Sequence, residues 1–454
     1  MTPGGGSMII KLIQPKMQMR PMDTGLKIRM APSLGLLTIA TLLEQEHTIV
    51  LENENVEEID YDGPADLVGI TVTVDGMNRA VAIARRFQAR GIPVVAGGIH
   101  ITAFPEQAQQ YFDVTCVGIA EKTWPAIVQD FQQGQLKKVY SCQDGVQPQD
   151  IVSPAYHLID KRKYLYSNIV STSRGCPFRC DFCYNSCAAY RNVYVNRNID
   201  DVLEEIQRIN KKHIMFIDDN FIGNPAWTME FVQALKPLHI KWNAAVSANI
   251  AQMPELLDAM RESGCQSLFI GFESINAASV SDVHKVQNQV SQFDDLVEQL
   301  HKRGIMIHAS FVFGLDGDDE TTFARTLDWI VAHKIETVTS HILTPYPGTQ
   351  VYDQLVQQGR ITTFDYSLYN TAHVVFEPAN MTAQQLYDGY IQIYKDIYSL
   401  KNIFKRMPDT PEQRIPYLLF NLLYRKFGKV TDGLCQWIGY ERIGRLAEWL
   451  SYRL

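Results

Sequence analysis

Short apolar runs alternate with longer segments of helical periodicity through the first 150 residues. The apolar runs predict strands at residues 8–13, 48–51, 67–73, 93–96 and 114–117, and the periodic segments predict helices at 34–43, 77–90 and 124–131. Strands that alternate with helices favour an α/β fold with a doubly wound parallel sheet. Ligands of such sheets bind beyond the carboxyl ends of the strands, so the loops at 71–75, 97–102 and 118–123 form a first candidate site.

The same alternation continues through the middle of the chain, where it makes six strand–helix units. Strands are predicted at residues 168–172, 213–217, 241–246, 266–272, 306–313 and 337–343, and helices at 200–210, 227–235, 254–262, 293–303 and 321–333. Polar residues follow several strands, at the end where barrel enzymes place their working groups. They are Asp218 and Asp219 after the second strand, Ser247 and Asn249 after the third, and Glu273 at the end of the fourth.

The last part of the chain is predicted to be helical. Residues 382–399 form a helix with four tyrosines on one face, for which core packing is the favoured role: Tyr387, Tyr390, Tyr394 and Tyr398. Residues 415–427 are strongly apolar but too short to cross a bilayer. An amphipathic stripe follows, made of Ile443, Leu446, Ala447 and Leu450. These segments carry a local excess of Lys and Arg, and they suit a helical cap over the mouth of the central barrel, which we prefer, or a peripheral membrane contact.

Composition narrows the class of protein. The chain has 454 residues, of which 46% are hydrophobic and 20% charged, a balance typical of globular proteins with large cores. A formal net charge of −8 argues against general nucleic-acid binding. Eight cysteines are too few for a disulfide framework in a chain of this length, and they favour a reducing, cytoplasmic compartment. Residues 1–7 (MTPGGGS) are interpreted as an added peptide, with Met8 as the native start.

Half of the cysteines lie together, and three of them have the spacing CxxxCxxC: Cys176, Cys180 and Cys183. Three thiolates this close can ligate three irons of a [4Fe–4S] cluster and leave the fourth iron open to a small molecule. The alternatives are a structural zinc site or three unrelated core cysteines. A zinc site usually has paired CxxC units or closely spaced histidines, and the sequence contains neither here. Cys187, four residues further on, is interpreted as a packing residue rather than a ligand.

This motif, with Phe182 before its last cysteine, resembles the radical S-adenosylmethionine (SAM) superfamily. The resemblance implies an open six-unit (β/α) barrel, a [4Fe–4S] cluster on Cys176, Cys180 and Cys183, and SAM bound to the open iron. It also implies a SAM site that includes Phe182, the two aspartates for the amino group, Ser247 and Asn249 after the third strand, and Glu273 for the ribose hydroxyls. Many relatives have an arginine after the third strand, where this chain has Ser-Ala-Asn, so the partner of the SAM carboxylate is undetermined.

The N-terminal segment resembles the cobalamin-binding domain that precedes the barrel in some radical SAM enzymes. The matching stretches are Pro32-Ser-Leu-Gly-Leu-Leu, Gly97-Gly-Ile-His-Ile-Thr and Val117-Gly-Ile-Ala-Glu-Lys-Thr-Trp-Pro. The resemblance implies a cobalamin site built from Thr71, Thr73, Asp75, Gly97, Gly98, His100, Thr102 and Glu121. The segment lacks the Asp-x-His-x-x-Gly loop that supplies a cobalt ligand in many cobalamin proteins, so cobalamin would bind without a histidine from that loop. The alternative is a flavodoxin-like relic that holds no cofactor.

The two resemblances together imply a cobalamin-dependent radical SAM C-methyltransferase. In that chemistry one SAM methylates cobalamin, a second yields the radical that activates a substrate carbon, and the carbon then takes the methyl group. The implied substrate is a small molecule, a tetrapyrrole or a lipid, and the implied partner is a one-electron reductant such as flavodoxin or ferredoxin. The alternatives are a radical SAM cyclase or oxidase of the same architecture, and a non-enzymatic iron–sulfur or zinc protein. The expected domains are residues 8–150, 165–378 and 379–454.

Overall fold

The N-terminal part folds around a six-stranded parallel sheet. The structure is a computed structural model that describes residues 6–21, 23, 27–142, 145–187, 189 and 193–424, with 433, 437–440, 442, 443, 445 and 446. The strands are β1 (Ile9–Gln14), β2 (Thr48–Asn53), β3 (Leu67–Thr71), β4 (Val94–Gly97), β5 (Val114–Val117) and β6 (Val139–Ser141). The helices are α1 (Leu34–Leu43), α2 (Met77–Gln88), α3 (Ile99–Ala103), α4 (Pro105–Ala108) and α5 (Ala120–Gln132).

Helices cover both faces of this sheet, which confirms the doubly wound prediction. The spatial order is β2-β1-β3-β4-β5-β6, and every neighbouring pair is parallel. One apolar cluster joins Leu36 of α1 to Ile127 of α5, and a separate cluster joins Ile83 of α2 to Ala108 of α4. The sequence missed β6, because this three-residue strand has one buried residue between two exposed ones and so has no apolar run.

The central part contains a second six-stranded parallel sheet. Its strands are β7 (Ile169–Val170), β10 (His213–Phe216), β11 (Lys241–Val246), β12 (Cys265–Glu273), β13 (Met306–Phe313) and β14 (Thr337–Ile342). The spatial order is β14-β13-β12-β11-β10-β7, the sequential order of an open barrel. A separate antiparallel pair consists of β8 (Ser173–Gly175) and β9 (Tyr194–Asn196). The helices are α6 (Ile199–Ile209), α7 (Pro225–Leu235), α8 (Pro254–Glu262), α9 (Ala277–Asp282), α10 (Phe293–Lys302), α11 (Thr322–Ala332) and α12 (Gln350–Gln357).

The first strand of this sheet is shorter than the sequence predicts. Only Ile169 and Val170 pair with β10, although the predicted strand extends to residue 172. The backbone amide of Thr172 donates instead to Asp218 Oδ1 at 2.8 Å, so a side chain replaces the next rung of the ladder. The chain then continues into β8 and delivers the cysteines away from the sheet plane.

Three further helices complete the described chain: α13 (Ala383–Ile397), α14 (Leu400–Lys405) and α15 (Pro411–Tyr424). All four tyrosines of the predicted 382–399 helix pack in or against the barrel core, as expected. Asn421 donates to Glu336 O at 3.0 Å and Gln413 donates to Gly304 O at 2.8 Å. These carbonyls precede β14 and β13, so α15 lies at the amino edge of the sheet. The prediction of a cap over the carboxyl mouth is therefore wrong for α15.

Other features of the C-terminal prediction have separate outcomes. Residues 425–427 of the predicted apolar segment, and Ala447 and Leu450 of the predicted stripe, lie outside the described residues. Within the described part of the chain, none of the helices has the length and apolar character needed to cross a bilayer. Between the two sheets, residues 151–168 contain only short 3₁₀ turns, Tyr156–Leu158 and Lys161–Lys163. We propose residues 151–164 of this stretch as the linker and keep the domain limits 8–150, 165–378 and 379–454 as a proposal.

Candidate active site

The three cysteines of the CxxxCxxC motif lie in a loop that begins directly after β8. Gly175 ends β8 with φ +76°, and a Cβ there would lie 1.8 Å from the carbonyl oxygen of Val193, so this position requires glycine. Within the loop, the Cys183 amide donates to Cys180 O at 3.0 Å, and Ser186 Oγ donates to the same carbonyl at 2.8 Å. These two bonds hold Cys180 and Cys183 on one tight turn.

The three thiols form one electrostatically coupled group that fits an iron–sulfur cluster. Burial raises the pKa of Cys176 to about 11 and that of Cys183 to about 12, and burial also raises the pKa of Cys180. A negative charge on Cys180 raises the pKa of the other two further. The raised pKa values mean that the protonated thiols are favoured. Bound iron would favour the thiolates instead, because nearby cations stabilise them. Three thiols that are free of disulfides and need such a counter-charge fit the donor set of a [4Fe–4S] cluster with one open iron.

A single-ion site has a different geometry. Among the described residues, no group of three or more His, Cys, Asp or Glu side chains is arranged to hold one metal ion. A zinc ion would bring its sulfur ligands to about 2.3 Å from one point. Cluster cysteines each bind a separate iron and do not need that convergence. Cys187 is buried at the end of the Tyr184–Ser186 turn, and Phe182 is half-buried against the barrel core.

The two aspartates after β10 have different surroundings. Asp218 is 4% exposed, and its Oδ1 accepts hydrogen bonds from the Thr172 amide at 2.8 Å and from Ser173 Oγ at 2.6 Å. Asp218 therefore anchors the chain that leads into the cysteine loop. Asp219 is exposed, and its charge raises the pKa values of Cys176 and Cys183. Of the two carboxylates, Asp219 is the more accessible to a ligand beside the cysteines.

The polar residues after β11 form a small network with a residue that the sequence analysis missed. Ser247 Oγ donates to Asn249 Oδ1 at 2.6 Å, and Asn220 Nδ2 donates to Ser247 Oγ at 3.0 Å. The Ser247 amide also donates to Asn220 Oδ1 at 3.2 Å. Asn220 directly follows the two aspartates, so this network joins the carboxyl ends of β10 and β11. The position of Asn220 after a predicted strand was the signal that could have identified it.

Glu273, expected as a free carboxylate, is paired with a buried lysine. Lys285 forms an ion pair with Glu273 Oε1 and donates to Gly271 O at 2.9 Å. A register shift between Gly271 and Glu273 and a φ of +64° at Glu273 turn this side chain toward the lysine. The positive charge of Lys285 lowers the pKa values of Cys176 and Cys180. Lys285 lies twelve residues beyond Glu273 and was not predicted from the sequence. We propose it as the partner of an anionic ligand group near the cysteines.

At the carboxyl edge of the first sheet, glycines line a cavity of about 300 Å³. Gly98 has φ +100°, and a Cβ there would lie 2.8 Å from the Val72 amide nitrogen. The two backbone segments are therefore too close together for any residue other than glycine at position 98. Gly97, Gly118 and Thr71 also line the cavity. Thr102 lies behind the wall and accepts a hydrogen bond from the Gly118 amide at 3.0 Å. A cavity of this volume accommodates part of a ligand as large as cobalamin, against a wall that side chains leave clear.

The structure places three of the predicted cobalamin residues away from that cavity. Thr73 donates to Asp75 Oδ1 at 2.8 Å, and both line a second cavity of about 300 Å³. His100 is 1% exposed, and its Nδ1 lies 3.2 Å from the hydroxyl of Tyr184 in the cysteine loop. The turn at Gly98 directs α3, and with it His100, toward the barrel. The sequence of a loop does not show which way its side chains point. Thr73, Asp75 and His100 were therefore predicted at the same site as the glycines.

One ion pair joins the edges of the two sheets. Arg174 of β8 donates through Nε and Nη2 to Glu121 Oε1 of α5, at 3.1 and 3.0 Å. Both side chains line the glycine-lined cavity. The predicted residue Glu121 is therefore at this cavity, and Arg174, which the sequence left unassigned, bonds to it. The cavity thus has one wall from each sheet, and the cysteine loop begins two residues after Arg174.

Three family models match successive parts of the chain. The Radical SAM superfamily model matches residues 170–330, and the B12 binding domain model matches residues 30–128. A domain of unknown function, DUF4070, matches residues 349–414. The first two models cover most of the two sheets whose carboxyl edges meet at the cavity.

Several relatives match nearly the whole chain. The chain is 31% identical to bacteriochlorophyllide d C-12(1)-methyltransferase of Chlorobaculum tepidum, over 92% of this chain and 93% of that protein. It is 28% identical to the C-8(2)-methyltransferase of the same organism, over 87% and 91% of the two chains. Its fold resembles that of the cobalamin-dependent radical enzyme OxsB with aqua-cobalamin and SAM bound, with a TM-score of 0.67, 15% identity, and coverage of 93% and 72%.

Proposed function

The chain belongs to the family of radical SAM enzymes that carry an N-terminal B12-binding domain, and from that premise we propose that it methylates an unactivated carbon of a small molecule. Its cofactors are a [4Fe–4S] cluster, SAM and cobalamin. When bound, these groups supply one-electron cleavage of SAM and a carrier for the methyl group. The protein's task is then to hold both cofactors and the substrate within reach of one another.

The observation that carries the proposal is the contact between the two carboxyl edges. The Arg174–Glu121 ion pair bridges them on one side, and the His100–Tyr184 hydrogen bond bridges them on the other. Transfer of a methyl group to a carbon radical requires two cofactors to reach the same carbon, and these contacts bring the B12-binding sheet against the cysteine loop. Two separate cofactor sites would not need such bridges.

We assign the chain's residues to three tasks. Cys176, Cys180 and Cys183 hold the cluster. For SAM, we propose Asp219 for the ammonium group, Glu273 for the ribose hydroxyls, and Lys285 for the carboxylate, with Phe182, Asp218, Ser247 and Asn249 supporting the site. For cobalamin, we propose Thr71, Gly97, Gly98 and Glu121, with Thr102 supporting the wall.

We propose the second cavity as the substrate site. Tyr184 and Tyr346 stack at its edge with ring centroids 4.5 Å apart, which suits a flat apolar ligand. The other wall carries Arg20 and Lys27, which share Asp23 at 3.1 and 2.9 Å, so it can also meet a polar group. The two Chlorobaculum relatives are named for bacteriochlorophyllide d, a tetrapyrrole. We therefore propose a tetrapyrrole substrate, with a flat polycyclic lipid as the alternative.

Anaerobic incubation with reductant, methyl-labelled SAM and a chlorophyllide-type tetrapyrrole tests this function. The expected products are labelled tetrapyrrole, S-adenosylhomocysteine and 5′-deoxyadenosine. Deoxyadenosine and an altered tetrapyrrole without label would show radical chemistry that transfers no methyl group, such as cyclisation or oxidation. A reaction without deoxyadenosine would contradict the radical mechanism itself. Cys142→Ala, a cysteine outside the motif, serves as the matched control for Cys180→Ala in this assay.

We propose two partners beyond the substrate. A flavodoxin or ferredoxin would supply the electron to the cluster. An anionic membrane surface would meet an exposed apolar face at the amino edge of the barrel, made of Leu400, Phe404, Ile415, Leu419 and Leu422. Lys401 and Lys405 flank this face on α14, and that combination suits peripheral binding. The wild-type protein should sediment with anionic vesicles, and a double variant with Ile415→Gln and Leu419→Gln should no longer do so. Phe364→Gln, at an exposed position elsewhere, should sediment with the vesicles as the wild type does.

A further inference from the structure

Residues 283–288, named the strap here, connect the cysteine loop to the end of β12. At the loop, the Asp181 amide donates to Val283 O at 3.2 Å, and Asp181 Oδ2 lies 2.7 Å from His284 Nδ1. Asp181 immediately follows Cys180. His284 has φ +49°, a conformation that non-glycine residues adopt only where surrounding contacts hold it. The strap is thus fixed directly beside a cluster cysteine.

The other contacts of the strap are with β12. Lys285 bonds to Glu273 and to Gly271 O, as described above. Asn288 Nδ2 donates to Gly271 O at 2.8 Å and to Phe272 O at 3.0 Å. Contacts on both sides of Gln287 therefore determine the position of its backbone, and the strap does not need the Gln287 side chain to stay in place.

The Gln287 side chain itself bonds to a cluster ligand. Its Nε2 donates to Cys180 Sγ at 3.3 Å. Its Oε1 is buried and has no hydrogen-bond partner among the described residues. Among the described residues, the side-chain amide of Gln287 therefore hydrogen-bonds to the sulfur and leaves its own oxygen unsatisfied. An unsatisfied buried oxygen costs stability, so the placement of this side chain points to a role at the sulfur.

We propose that Gln287 is a positioning residue that raises the reduction potential of the [4Fe–4S] cluster through its hydrogen bond to Cys180. One-electron reduction adds negative charge that is shared by the ligand sulfurs, so an N–H donor stabilises the reduced form more than the oxidised form. The hydrogen bond thereby makes it easier for a one-electron donor to reduce the cluster. This inference rests on the presence of the cluster and not on methyl transfer.

Potentiometry of the cluster tests the inference without using activity. The full chain is reconstituted anaerobically, poised with mediators in the absence of SAM, and followed by electron paramagnetic resonance (EPR) of the reduced cluster. The variants are Gln287→Leu, which removes the donor, and Gln287→Glu, which replaces it with a negative acceptor of the same shape. Val286→Ala is the matched control, because Val286 is the neighbouring residue in the strap and is 74% exposed.

At the wild-type midpoint potential, Gln287→Leu should shift the oxidised-to-reduced ratio about fivefold toward the oxidised form, as expected for one lost hydrogen bond. Gln287→Glu should shift the ratio further, and Val286→Ala should leave it unchanged. A Gln287→Leu protein with wild-type iron content and wild-type midpoint would overturn the proposal, as would an equal shift in Val286→Ala. If Gln287→Leu does not retain its cluster, the midpoint potential of Gln287→Glu decides instead. A wild-type midpoint in that variant would then overturn the proposal. A protein that fails to methylate but shows these shifts would refute the proposed function and leave this inference standing.

Discussion

The two carboxyl edges that meet in this protein are built on opposite principles. The edge of the first sheet is a wall of glycines, where Gly97, Gly98 and Gly118 leave room for a large ligand. The edge of the second sheet carries three free thiols, together with carboxylates that are already bonded to Ser173 and to the buried Lys285. The first edge provides space with a clear wall for a ligand, and the second provides side-chain atoms that can bind a ligand directly. A large cofactor can be held by many weak contacts along a clear wall, whereas an iron cluster needs a few specific sulfur ligands.

Loss of one donor atom should have the largest effect. Cys180→Ala should abolish the brown cluster chromophore and all formation of 5′-deoxyadenosine, because two sulfurs cannot hold the cluster in the place of three. Iron analysis and mass spectrometry measure both. The cobalamin content should stay at the wild-type level, since the first edge is untouched. Retained SAM cleavage in this variant would contradict the assignment of the cysteine loop.

A side chain added to the glycine wall should have the next largest effect. Gly98→Ala should weaken cobalamin binding roughly a hundredfold, because the new Cβ meets the Val72 backbone and the φ of +100° strains it. The iron content should not change. Gly91→Ala is a close control, because Gly91 has φ +75° but no atom within 4 Å of its new Cβ. Equal cobalamin binding by the two variants, measured from absorbance spectra, would show that the glycine wall is not the site.

Acid should weaken the contact between the two regions. Burial lowers the pKa of His100 to about 4, below the ordinary value of about 6.5 for the unfolded chain. As the pH falls from about 6.5 to 4, the unfolded chain binds this proton first, so stability is lost across that window. Between pH 7 and pH 5 the loss from His100 is about 2 kcal/mol.

Urea unfolding of wild type and His100→Gln at both pH values measures this difference. The variant should lose less stability on acidification than the wild type. Exposed His239, changed to asparagine, should leave the wild-type pH dependence intact. Parallel behaviour of wild type and His100→Gln would mean that His100 is not buried at the contact.

The ion pair between the edges should have the smallest effect. Glu121 is buried but the Arg174 side chain is 24% exposed to water, so a double-mutant cycle with Arg174→Met and Glu121→Gln should give a coupling of about 1 kcal/mol. The cycle is measured by thermal unfolding of cofactor-free protein. A coupling near zero would mean that this ion pair makes no measurable contribution to joining the two edges.

The sequence predicted local chemistry better than long-range pairing. The three motif cysteines fall within eight residues, so their spacing alone predicts a cluster site. The alternation of strands and helices likewise predicts both parallel sheets, since each unit is local. Lys285, Asn220 and Gln287 were missed because their partners are brought to them only by the turn after β12 and by neighbouring strands. Asp218 and Asp219 are adjacent in sequence, yet backbone direction makes one an anchor and leaves the other at the surface.

The central claim is that the protein's sulfurs leave one iron open to SAM. The direct test is EPR of the reduced, anaerobically prepared protein before and after the addition of SAM. The account predicts a [4Fe–4S] signal that changes shape when SAM binds and is absent in Cys180→Ala. A reduced-cluster signal that SAM leaves unchanged, or a protein that holds zinc in place of iron, would contradict it.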